Sequence, residues 1–184
     1  MSGLRIGLAC SDITPPIGVT MAGYGARDKL SASIETPLQA QAIVAESGGR
    51  YAAIVLADLI GVHAELADAV RKIVGGTTCI PPDAVMICCS HTHWGPALRS
   101  DSYLPDNLKA GVIPEYVDGL TRTLSGLVAE AFGNLQPARV GCGIGRADGI
   151  SFNRRPVNVE GKTVMSLVLE PGQALSLIHI SEPK

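Results

Sequence analysis

The chain has 184 residues, enough for one domain with a sizeable core or for part of a larger one. Hydrophobic residues make up 46% and charged residues 17%, a balance that excludes a disordered chain or an acidic or basic tail. A net charge of −2 without any Lys/Arg cluster, and only 4% aromatic residues, argue against nucleic acid as a partner.

Residues 4–10 read as a first strand, ending in Asp12-Ile13-Thr14-Pro15-Pro16, which must leave regular structure. Asp12 suits a turn organised through its own side chain. A glycine-rich stretch from Gly18 to Gly25 follows, and its Tyr24 either faces a site or packs. Residues 38–46 and 51–59 are apolar strands joined by Ser47-Gly48-Gly49-Arg50, a hairpin connection. Residues 63–74 have helical spacing, with Leu66, Val70, Ile73 and Val74 on one face and Gly75-Gly76 as a stop. His63, at the start of that helix, is expected at the surface.

Residues 84–89 form a short run of strand formers after Pro81-Pro82-Asp83 and read as a buried strand that includes Cys88 and Cys89. A polar loop over 99–109 leads to a second helix at 114–132, with Val117, Leu120, Leu124, Leu127, Val128 and Ala131 at its period. Pro114 suits its first turn and Gly133-Asn134 its stop. Two further strands are expected at 138–144 and 163–169. Strands alternating with helices, together with a hairpin, predict an α/β fold with mixed β-sheet layers flanked by helices.

The segment that carries chemistry is Ser90-His91-Thr92-His93-Trp94-Gly95-Pro96, directly after the 84–89 strand. In extended backbone, residues i and i+2 point the same way, so His91 and His93 can converge just past a strand end. Imidazole is the commonest metal ligand, and strand ends are where α/β proteins place their chemistry. Two histidines that cap a strand by hydrogen bonds are an equal alternative for a bare His-x-His. Asp58, at another strand end, can orient a metal-bound histidine or cap the following helix.

No signal-peptide pattern and no run of membrane-spanning length are visible. The five cysteines, Cys10, Cys79, Cys88, Cys89 and Cys142, follow no zinc-ribbon spacing, and a reduced, cytoplasmic setting is expected. The run Leu175-Ser176-Leu177-Ile178-His179-Ile180-Ser181-Glu182-Pro183 reads as a translated sequencing adaptor. Residues 1–174 are thus expected as the N-terminal portion of a larger catalytic domain and 175–184 as a non-native tail, in which His179 has no role.

Five ordered segments resemble the N-terminal part of the neutral/alkaline non-lysosomal ceramidase family. They are Asp12-Ile13-Thr14-Pro15-Pro16; Met21-Ala22-Gly23-Tyr24-Gly25; the 38–45 strand with Leu56-Ala57-Asp58; Ser90-His91-Thr92-His93-Trp94-Gly95-Pro96; and Asn153-Arg154-Arg155-Pro156. The chain departs from the family's usual serine at Trp94 and from its usual Asn-Arg-Ser-Pro at Arg155. These departures align it with bacterial ceramidase-like relatives. The resemblance implies a zinc-dependent amidohydrolase acting on a ceramide or related lipid amide. It assigns His91 to the first zinc ligand, His93 to a substrate-contacting base, and Arg154 to the substrate pocket. Further ligands of the family's zinc lie downstream of the residues given. Two alternatives stand beside this expectation: a catalytically inactive fragment with an incomplete metal site, and a ceramidase-like hydrolase with a non-sphingolipid substrate. Arg154 can also simply pair with a carboxylate that fixes its loop.

Overall fold

The computed structural model describes residues 3–100, 104, 106–146, 154–158 and 160–165. The chain divides into two compact units, Met1–Arg139 and Val140–Lys184. The expected adaptor-like tail at 175–184 lies outside the described residues.

The first unit is built on a five-stranded sheet in the order β4-β3-β2-β1-β5. Strands β1 (Arg5–Asp12), β2 (Gln39–Ser47) and β3 (Arg50–Ala57) form an antiparallel meander, β1 with β2 and β2 with β3. The β2–β3 hairpin turns at Gly48 and Gly49, both at positive φ (61° and 76°), the geometry of the tight turn that matches strand twist. Helix α1 (Ala64–Thr77) crosses over to β4 (Val85–Cys89), which pairs parallel with β3. A one-turn helix α2 (Asp106–Lys109) falls within the expected polar loop. Helix α3 (Pro114–Gly133) starts with Pro114 in its first turn and ends at Asn134. The two-residue strand β5 (Gln136–Pro137) closes the far edge on β1. The mixed α/β architecture is the one expected.

One sheet face carries the core. In β2 and β3, Ala40, Ala42, Val44, Ala53, Val55 and Ala57 alternate inward and are buried. Their small side chains let α3 lie close, bringing Leu120, Leu124, Leu127 and Val128 onto the sheet, while α1 packs beside α3 and adds Leu66, Val70 and Val74 to the same core. Each such Leu or Val contributes about 1.5–3 kcal/mol on burial. The other face is open. Leu8, Ile43, Ile54 and Met86 form one continuous row across four strands by register. Of these, Leu8 is 60% and Met86 57% exposed.

Three expectations change. Helix α1 runs through Gly75-Gly76 to Thr77, and its last carbonyls are capped by hydroxyls: Thr77 Oγ1 donates to Ile73 O and Thr78 Oγ1 to Val74 O. Gly75 is required by packing, because a Cβ there would meet Pro82 Cγ at 2.7 Å. Ile73 lies on the flank of the buried stripe and is exposed. The strand over 84–89 is half-buried rather than buried, since β4 is an edge strand with one face open.

The strand expected at 138–144 is absent. Pairing with β1 ends at β5 plus one bond from Ala138 N to Leu4 O. Gly141 and Gly143 weaken the strand preference of the rest, and Val140 and Ile144 stand exposed. In the second unit, Thr163 pairs with Val157 in a single bridge around a turn at Gly161, where Asn158 Oδ1 accepts from the amides of Glu160 and Lys162. Residues 166–169 of the other expected strand lie outside the described residues.

Candidate active site

Four chain segments meet at one end of the sheet. The end of β1, the start of β2 and the ends of β3 and β4 share it by register: Asp12 opposes Gln39, Ala40 opposes Ala57, and Ala57 opposes Cys89. The backbone locks these ends together through Ser90 N to Ala57 O and Asp58 N to Gln39 O. The parallel pair β3/β4 thus delivers Ser90 and the histidine segment outside its C-terminal ends, the usual place for chemistry in such folds.

His91 sits in the left-handed region at φ 59°, the only non-glycine residue to do so among the described residues. This conformation breaks the extended path after β4 and turns the imidazole back on the loop after β3. There His91 Nδ1 lies 2.7 Å from Ile60 O. A carbonyl oxygen can only accept, so Nδ1 carries the proton, and Nε2 of the neutral ring is left with its lone pair. The residue is exposed, leaving Nε2 open. A backbone carbonyl on one ring nitrogen is the arrangement that orients metal-binding histidines.

His93 lies beside it, with ring centroids 5.3 Å apart. Its surroundings come from the glycine-rich segment. Ala22 N donates to Gly95 O, and Met21 pairs with Pro96 in an antiparallel bridge. Gly23, at φ 102°, passes so close that a Cβ there would lie 2.5 Å from His93 Cγ. Tyr24 presents its ring edgewise to His93 at 5.0 Å. Tyr24 therefore faces the site, which the sequence left open. Arg27, which sequence reasoning missed, donates from Nη1 to Ala22 O (2.8 Å) and from Nη2 to His93 O (3.1 Å). Its guanidinium lies over the rings of Tyr24 and Trp94, 5.1 and 5.4 Å from their centroids.

Ser90, Thr92 and Trp94 line a cavity of about 920 Å³ with Asp58, Met21, Arg27 and the 28–38 segment. Its wall is mainly apolar, with Leu30, Ile34, Pro37 and Leu38 among the lining. Asp58 does not cap the following helix: its Oδ2 accepts from Gln39 N, tying β3 to β2. Helix α1 begins after His63, half-buried, with no side-chain cap. Asp12 organises its turn as expected, accepting from Thr14 N at 2.6 Å. The Thr14 hydroxyl and amide hold its carboxyl below the usual value. Tyr116 OH donates to Ile13 O, and burial, with Asp12 adding, pushes that hydroxyl up to about 12. Burial, with neighbouring Cys88, also raises the Cys89 thiol, which makes it a poor nucleophile. None of the five cysteines is in a disulfide.

Arg154 belongs to the second unit, where it is exposed in a bend before Pro156. His91 and His93 are brought together within the first unit. Among the described residues no group of three or more His, Cys, Asp or Glu side chains could hold a metal ion. A catalytic zinc takes three protein ligands. The described residues do not make a complete zinc set.

The chain matches the family model described as neutral/alkaline non-lysosomal ceramidase, N-terminal, over residues 4–160. It is similar to a crystal structure of neutral ceramidase from Pseudomonas aeruginosa, with 26% identity and a TM-score of 0.52 over 74% of this chain. A structure described as ceramidase complexed with C2 matches with the same identity, TM-score and coverage. The chain spans 22% of the length of each of these structures. No curated protein matches the chain. No helix among the described residues is long and apolar enough to cross a membrane. With its five ordered motifs, its mixed sheet and a family match over most of its length, the chain belongs to the neutral/alkaline non-lysosomal ceramidase family.

Proposed function

We propose that the whole protein hydrolyses an N-acyl amide bond of a ceramide or related lipid, with His91 as a zinc ligand and His93 as the base. The observation that carries this reading is the His91–Ile60 hydrogen bond, which fixes the tautomer and leaves Nε2 available. Zinc, when bound, supplies a water of lowered pKa and polarises the amide carbonyl. The remaining ligands must come from outside the described residues. His93 takes a proton from the attacking water and returns it to the leaving amine. Arg154 binds substrate oxygens or developing negative charge. The mainly apolar cavity beside Ser90, Thr92 and Trp94 has the size and lining for an alkyl chain.

The test is metal analysis of the whole protein with hydrolysis of N-acylsphingosine and of simpler N-acyl amides. Zinc at one equivalent, with turnover lost on chelation, is expected. Full hydrolysis by metal-free protein would overturn the reading. Preference for the simpler amides would point to a non-sphingolipid substrate. The incomplete ligand set supports a second reading for the 184-residue chain by itself: no turnover of any amide.

A further inference from the structure

We propose that Arg27 is a positioning residue for His93, an inference that rests on the reading of His93 as the base. The two histidines are held in different ways. His91 is fixed through its ring, by Ile60 O. Among the described residues the ring of His93 has no hydrogen-bond partner, and is placed only by the Tyr24 edge, by His91 and by the close pass of Gly23. Its position therefore depends on where its backbone is held. Arg27 supplies that hold, with one guanidinium nitrogen on His93 O and another on Ala22 O, across 66 residues of sequence.

The chemistry calls for arginine. A planar fork can reach two carbonyls at once, whereas an ammonium is a single point. Tyr24 and Trp94 present their rings to the guanidinium, at 5.1 and 5.4 Å, a cation–π attraction that helps hold the fork in place. One side chain thus gathers the Gly23–Tyr24 wall, the His93 backbone and Trp94 of the cavity lining. Arg27 acts through His93 and does not hold the metal, so its loss should leave His91 and its ring contact in place.

The test uses the whole protein with Arg27→Ala, Arg27→Lys and Arg27→Gln. Expected results are zinc content equal to wild type and kcat lowered about a hundredfold in Arg27→Ala, the scale of an ångström-level misplacement. Arg27→Lys should recover little, and millimolar guanidinium added to Arg27→Ala should recover part of kcat. Wild-type kcat in Arg27→Ala, or full recovery by lysine, would overturn the proposal. So would loss of zinc with kcat in all three variants, since that marks general collapse of the site. A second readout does not depend on turnover. Side-chain and carbonyl NMR signals of His93 and the Trp94 indole should move in Arg27→Ala and Arg27→Lys, while those of His91 stay. Unmoved His93 signals would sink the proposal even in an active enzyme. Moved signals in a protein that hydrolyses no amide would support the positioning and count against the proposed function alone.

Discussion

His91 Nδ1 and the carbonyl oxygen of Ile60 lie 2.7 Å apart, in a bond that joins the loops after two neighbouring parallel strands. It separates the two jobs of this side chain. Asparagine can place an amide N–H near the Nδ1 position and tolerates the left-handed backbone, but has nothing at Nε2. His91→Asn should therefore melt close to wild type yet lose its zinc by metal analysis. His91→Ala should lose the metal and about 1 kcal/mol of stability as well. Zinc retained by the asparagine variant would remove His91 from the ligand set.

Gly23→Ala should be costly at a position that looks permissive. The added methyl would lie within 2.9 Å of three His93 atoms at a φ of 102°. Overpacking of this kind costs about 1–3 kcal/mol. Gly25→Ala, with nothing within 4 Å, is the control and should stay within about 0.5 kcal/mol. Urea midpoints of the two variants decide the matter, and equal midpoints would count against the packing described.

Asp12 sets an acid limit. Its carboxyl titrates below the usual 3.8 because Thr14 donates to it from hydroxyl and amide. The folded state thus binds its proton less readily than the unfolded chain. The bonds stabilise the fold fully above the unfolded value, and that contribution is lost as pH falls through the lowered folded value. The stability gap between wild type and Asp12→Asn should be flat above about pH 5 and close progressively below it. A gap that persists unchanged into strong acid would rule out the charge as its source.

The open sheet face should make the 184-residue chain self-associate. Leu8 and Met86 end an apolar row that Ile43 and Ile54 complete, and continuous exposed patches of this kind drive association. Leu8→Lys with Met86→Lys should lower dye binding and light scattering while shifting the urea midpoint little. Unchanged scattering would show that the row is not the contact.

Sheet and helices were legible because their periods were clean. The alternation in β2 and β3 and the 120-124-127-128-131 spacing in α3 each marked one buried face. Glycine misled where one residue type has several uses: Gly75-Gly76 resembles a stop, but Gly75 answers to Pro82, a contact made by the return of the chain. The 138–144 run has strand-like residues but, past Ala138, no pairing strand among the described residues, and pairing is not a local property. The histidine pair could be found from spacing alone. Arg27 could not, because its partners are two backbone oxygens and two ring faces from distant segments, none of which leaves a pattern. An arginine just after a glycine-rich run, with one tryptophan in the histidine motif, was the available hint.

That tryptophan gives the molecule a built-in optical gauge. Trp94 is the only fluorophore of its kind in the chain, two-thirds exposed, one residue from His93 and stacked on Arg27. Its emission arises from the wall shared by the histidine pair and the apolar cavity. Arrival of a ligand, or movement of the loop, can therefore be followed in real time without attaching any label.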